Sequence, residues 1–144
     1  EITIGDWSSD VCSSDLFALS ATYSLARDGN KYVSSHFKVR EFRCKDGSDT
    51  ILIDSKLVTL LEKIRSHFGA PITINSGYRT PAYNKKIGGA SASQHCKGTA
   101  ADIVVSGYSP STVYSYCNQI NPNGGVGKYN SFTHVDTRGY RARW

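Results

Sequence analysis

The stretch Ser93–Asp102, SQHCKGTAAD, taken together with Phe132–Asp136, FTHVD, constrains this chain more than any other feature. The first piece places His95 and Asp102 seven residues apart with Gly98 between them, and the second supplies His134 and Asp136 two apart. Residues 100–105 (AADIVV) are short, apolar and β-branched towards their end, which predicts a strand. Alternation then sets Ala101, Ile103 and Val105 on the core face and Asp102 on the other, where a pocket can lie. A second strand is predicted over 133–137, with His134, Asp136 and Arg138 sharing one parity. Gly98 lets the loop ahead of the first strand turn back sharply. Two imidazoles and one carboxylate are a sufficient protein ligand set for a catalytic zinc ion, which keeps a fourth position open, whereas a structural site uses four protein ligands. The expected ligands are His95, Asp102 and His134, holding one zinc per chain. Taken singly, each reads more simply as a surface histidine or a capping carboxylate. The joint pattern of loop His, strand Asp and distant His-x-Asp strand lifts the set.

At 144 residues the chain is long enough for one domain with a real core. No apolar run is long enough to span a membrane. The net charge of +5 suits an anionic partner such as nucleic acid, a membrane surface or an acidic bacterial wall. The basic residues are dispersed apart from Arg138, Arg141 and Arg143, which argues against a nucleic-acid partner. Cys12, Cys44, Cys96 and Cys117 show no CxxC spacing, so a cysteine zinc site is not expected, and two disulfides are permitted but not required.

Residues 6–16 (DWSSDVCSSDL) resemble the translation of a sequencing adapter, so residues 1–20 are read as an irregular segment of artefactual origin, with the true start and any signal peptide missing. Trp7 and Cys12 carry no functional weight. Residues 21–144 are expected to form a single domain. Within it, residues 32–42 read as a docking segment with a short helix near Arg40, and residues 44–48 as a turn. The clearest helix starts at Asp54 or Ser55, buries Leu57, Leu60, Leu61, Ile64 and Phe68, and stops at Gly69. A strand follows over 71–75, then Thr80-Pro81 opens a helix through Lys86, and Ser109-Pro110 opens another to about Ile120. Residues 126–129 and 133–137 form an antiparallel pair. The order is that of an α+β fold, a small antiparallel sheet with helices packed on it.

These residues carry a resemblance. Ser93, His95, Gly98, Ala100 and Asp102, with His134 later in a strand, match the motif of the D-Ala-D-Ala carboxypeptidase family of zinc peptidases. That family shares a fold group with lysostaphin-type enzymes and the hedgehog signalling domain. Ser76-Gly-Tyr-Arg-Thr80 and the closing HVDTRGYRARW also resemble it, and the likeness runs over roughly residues 38–144. The resemblance implies a hydrolase acting on peptidoglycan stem peptides, monomeric, placed outside the bacterial cell, in the wall or periplasm, or delivered by phage. The bond could be D-Ala-D-Ala, as in a carboxypeptidase, or L-Ala-D-Glu, as in an endolysin. Arg79 matches the family's substrate-side arginine, which binds a peptide carboxylate or stabilises an oxyanion; its plainer reading is a salt bridge. Ser93 either hydrogen-bonds substrate or supports its loop.

Zinc would lower the pKa of a bound water and polarise a carbonyl, and a general base is still required. Many relatives carry an acid three residues before the last histidine ligand, where this chain has Ser131. Asp136 is the nearest substitute as catalytic base; its rival role is to accept a hydrogen bond from a ligand imidazole and fix its tautomer. Tyr78 and Trp144 read as packing residues. The missing acid also supports a different class of function, a non-catalytic zinc-containing module for wall binding or signalling.

Overall fold

The computed structural model describes residues 20–144; the segment read as an artefact, with Trp7 and Cys12, lies outside them apart from Ser20. In chain order the elements are β1 (Ala21–Ser24), α1 (Leu25–Asp28), a 3-10 turn (Val39–Phe42), β2 (Thr50–Ile53), α2 (Ser55–Phe68), β3 (Ile72–Ser76), α3 (Pro81–Lys86), a second 3-10 turn (Gln94–Lys97), β4 (Ala100–Val105), α4 (Pro110–Ile120), β5 (Gly125–Lys128), β6 (Thr133–Asp136) and β7 (Ala142–Arg143). The fold is α+β, as expected.

Helix α2 shows why these boundaries arise. The Asp54 carboxylate accepts the Lys56 N–H at the N-terminus, and Gly69 closes the C-terminus with φ 61° and its N–H on the Arg65 carbonyl. Leu57, Leu60, Leu61, Ile64 and Phe68 form the buried stripe. Helices α3 and α4 start as the sequence predicts, with Thr80 and Ser109 hydroxyls accepting the N–H of Tyr83 and Thr112 and proline in the first turn. In α4, Val113 and Cys117 are fully buried while Tyr116 and Ile120 only flank the core.

The main sheet runs β3-β4-β6-β5-β7, antiparallel except for the parallel edge pair β5–β7. Ala101, Ile103 and Val105 face the core with Val126 and Val135, against the α2 stripe and Val113. A separate two-stranded sheet, β1–β2, adds Ile51 and Ile53. The segment read as docking enters this core through Phe37, Val39 and Phe42, each 1% exposed, and its short helix is the 3-10 turn at Val39–Phe42. Burying an aromatic or large aliphatic side chain of this kind is worth roughly 1.5–3 kcal/mol. Among the described residues Cys44, Cys96 and Cys117 form no disulfide with one another.

Two features of the sheet place the site. Asp102 on β4 lies directly opposite His134 on β6, and Ala100 opposite Asp136. Between β3 and β4 the register shifts at residues 74–76, so that Ser76 comes opposite Asp102. This bulge re-aims the end of β3, and hence the loop carrying Arg79, towards the same face.

Candidate metal centre

Asp102 and His134 are delivered by strand pairing, and His95 by the 3-10 turn ahead of β4. The Ser93 hydroxyl accepts the His95 N–H at 3.2 Å and so caps that turn, one of the two roles left open for it. Gly98 ends the turn at φ 74°, and a Cβ there would lie 2.5 Å from the Leu52 carbonyl oxygen. The position requires glycine both for its left-handed backbone and for its close approach to β2. The Gly98 carbonyl then accepts the Asp54 N–H at 2.9 Å, tying the loop to the start of α2.

His95, Asp102 and His134 are 4%, 6% and 6% exposed, and one potential ligand atom from each lies within 4.8 Å of the others. His95 Nε2 is 3.4 Å and His134 Nδ1 2.9 Å from Asp102 Oδ1, and the two rings meet edge to face at 5.2 Å. A hydrogen-bond partner assigns the tautomer of His95. His95 Nδ1 lies 2.7 Å from the Gly77 carbonyl, which can only accept, so Nδ1 carries the proton and Nε2 offers its lone pair to the cluster. His134 has a carboxylate at each ring nitrogen, Asp136 Oδ2 2.8 Å from Nε2 and Asp102 Oδ1 2.9 Å from Nδ1; a metal held at Nδ1 would leave Nε2–H to donate to Asp136.

Burial pushes the Asp102 carboxyl up, but the hydrogen bonds and charge of His134 and His95 outweigh it and hold the group down to about 2. Burial acts to lower His134, yet Asp102 and Asp136 raise it above the ordinary imidazole value. A cation among these three donors would satisfy both lone pairs and the carboxylate at once. The donor set, two imidazoles and one carboxylate, each imidazole with its second ring nitrogen held by an acceptor, suits zinc with a position left over.

Asp136 is fully buried and accepts five N–H groups: Gly125 N (2.9 Å), Arg138 N (3.1 Å) and Nε (2.9 Å) on Oδ1, His134 Nε2 (2.8 Å) and Arg138 Nη2 (2.7 Å) on Oδ2. Burial works against its charge, but His134 and Arg138 keep it well below the usual carboxylate range. Arg79 sits beside the cluster, its Nη2 3.6 Å from Asp102 Oδ2, with Nε donating to Ser76 and Nη1 to Asn84. Tyr78 is buried as packing. Trp144 is not simply packed away: it is 45% exposed, its ring lies 5.0 Å from that of His134 and its indole N–H donates to Tyr129.

The sequence reading missed the Gly77 carbonyl, Ser76, Asn84 and the clamping role of Arg138. A backbone carbonyl leaves no side-chain signal. Arg138 left one, its shared parity with His134 and Asp136.

A search of curated proteins returns no match. A comparison with protein families matches residues 32–136 to Peptidase M15, a span that includes His95, Asp102, His134, Arg79, Ser93 and Asp136. The chain therefore belongs to the peptidase M15 family, zinc metallopeptidases that act on peptidoglycan.

Proposed function

We propose that the protein hydrolyses a peptide bond in peptidoglycan stem peptides, with His95 Nε2, Asp102 and His134 Nδ1 holding one zinc ion. The observation that carries this is the convergence of three buried donors, with the second ring nitrogen of each histidine held by an acceptor, the Gly77 carbonyl and Asp136. Bound there, zinc supplies Lewis acidity towards a peptide carbonyl and makes water a nucleophile near neutral pH.

The protein's own groups do the rest. Gly77 and Asp136 orient the two imidazoles. Arg79, whose named hydrogen bonds use two of its five N–H donors, retains donors for an anion. That anion is the terminal carboxylate of a stem peptide in a carboxypeptidase, or the oxyanion forming at the scissile carbonyl in an endopeptidase. Ser93 supports the ligand loop. A general base must reach a proton at about 2.6–3.2 Å, and both oxygens of Asp136 are spent on His134, Arg138 and Gly125. We therefore assign Asp136 the orienting role in place of the base role. A zinc peptidase acting on the wall would work outside the cytoplasm or be delivered to the wall from outside; among the described residues no helix is long and apolar enough to cross a membrane.

The test is zinc content of wild type and His95→Ala, with digestion of purified peptidoglycan before and after chelation. One zinc per chain, lost together with hydrolysis in the variant, is the expected result; the new termini then identify the bond. One observation favours a second reading, a zinc-holding module for wall binding or signalling: both carboxylates at the cluster, Asp102 and Asp136, are committed, and Ser131 stands exposed where an acid is expected. Zinc bound without hydrolysis, alongside retention on insoluble wall, would select it.

A further inference from the structure

Asn84 is a polar side chain 4% exposed at the fourth residue of the short helix α3, and nothing in the chemistry above uses it. Its amide is engaged on both sides. Oδ1 accepts from Arg79 Nη1 at 3.2 Å, and Nδ2 donates to the Ala90 carbonyl at 2.7 Å. The Asn84 backbone carbonyl also accepts the Gly89 N–H at 2.8 Å. A Cβ on Gly89 would lie 2.0 Å from Asn84 Oδ1, so the amide occupies the space that any other residue at 89 would need. The side chain thus bridges two pieces of the site: the arginine beside Asp102, and the start of the loop that leads to Ser93 and His95.

Arg79 needs such a bridge. Its guanidinium stands 3.6 Å from the Asp102 carboxylate, beyond hydrogen-bond reach, and its side chain is 15% exposed. Nothing in that long-range attraction fixes the plane of the fork. The two directional contacts are Ser76 on Nε and Asn84 on Nη1, one from each side. An arginine free to rotate would fold onto Asp102, the carboxylate beside it, and so weaken its own hold on an anion.

We propose that Asn84 is a positioning residue for Arg79: it holds the guanidinium away from a direct pair with Asp102 and presents its remaining N–H donors to the anionic group of the substrate. The inference rests on Arg79 being the substrate-side arginine. It predicts that Asn84 acts on peptide turnover through Arg79 and not through the metal.

The test has two readouts. The first is the Arg79 Nη1–H signal in 15N NMR of the full chain, the group that donates to Asn84, which should be ordered and slow to exchange in wild type and mobile in Asn84→Ala. Asn84→Asp keeps an oxygen for Arg79 but loses the donor to Ala90, and its Arg79 signal should stay ordered. The second is kcat/KM on a soluble stem peptide, which should fall about 10- to 100-fold in Asn84→Ala, the size expected when a group meeting the substrate is misplaced. Zinc content should be unchanged. In an Arg79→Ala background Asn84→Ala should cost nothing further, because a residue acting only through Arg79 has nothing left to hold. Should the alanine variant fail to fold, Asn84→Ser leaves a smaller void and is read the same way. An Arg79 signal unchanged in Asn84→Ala, a further loss in the Arg79→Ala background, or loss of zinc would overturn the proposal. If wild type hydrolyses no peptide, the peptidase reading fails, while the NMR signal still decides whether Asn84 holds Arg79.

Discussion

Replacing Asp136 by Asn separates the two roles that a carboxylate at this position can have. The change removes one charge and turns one acceptor into a donor. If the new NH2 takes the place of Oδ1, it faces three donors, the Gly125 and Arg138 main-chain N–H and Arg138 Nε; in the place of Oδ2 it faces two, His134 Nε2 and Arg138 Nη2. The second orientation loses fewer bonds. Each bond to a charged group is worth about 1.5–3 kcal/mol, so losing the two on Oδ2 should cost the protein about 3–6 kcal/mol of stability. His134 can relieve the clash only by moving its proton from Nε2 to Nδ1, the atom turned towards Asp102. That blocks the lone pair a metal requires, so zinc affinity should fall about 10- to 100-fold, equivalent to about 1.4–2.7 kcal/mol. Competition with a chromophoric chelator measures the affinity, and denaturant unfolding the stability. A companion substitution keeps the charge: a Cβ in Gly125→Ala would lie 2.2 Å from Asp136 Oδ2 and must push the carboxylate off His134, so it should weaken zinc binding in the same direction. If Asp136→Asn binds zinc as wild type does while hydrolysis is lost, Asp136 is the base and the reasoning is refuted.

Gly98→Ala should destabilise by at least about 1–2 kcal/mol from its left-handed backbone alone, with more from the Leu52 contact; zinc affinity should fall because His95 lies on the same turn, as chelator competition would show. Leu61→Ala, in the buried stripe of α2, should cost about 2–5 kcal/mol yet leave zinc stoichiometry unchanged, measured by unfolding and metal analysis. Asp28 accepts from Arg27, Ser24 and Lys31, and these contacts hold its carboxyl below its ordinary value of 3.8. A lowered folded-state pKa gives stability that is present above pH 3.8 and lost as pH falls below it. Asp28→Asn should therefore be less stable than wild type at neutral pH, with the gap closing in an acid titration of unfolding.

What the sequence made legible follows from where each signal resides. Helix α2 carries its own cap, stripe and stop, so its position needed no tertiary information. The faces of β4 and β6 followed from alternation, and these faces bring Asp102 and His134 together. Strand β2 left a signal that went unread: Ile51 and Ile53 alternate with half-exposed or exposed neighbours in a run of four residues. Strand β1 reads ATYS with outward-facing, largely polar residues, and β7 is two residues long, so their pairing depends on partners elsewhere in the chain. The choice between the two roles offered for Asp136, and any role for Asn84, were beyond reach because both depend on who donates to them, and Gly125, Arg138 and Arg79 meet them only after the sheet has formed.

The register between β4 and β6 has a consequence for how the chain can vary in length. Asp102 stands opposite His134 whatever separates them along the sequence, because hydrogen bonds between the strands, not the intervening chain, set that distance. Residues added in the turns before β5 or between β5 and β6 would lengthen surface loops and leave the three donors where they are. One residue removed within β6 ahead of His134 would instead draw His134 into the position held by Thr133, on the other face of the strand, and bring Val135 opposite Asp102. Insertions and deletions are thus tolerated or lethal to metal binding according to a boundary only one residue wide at each end of a four-residue strand.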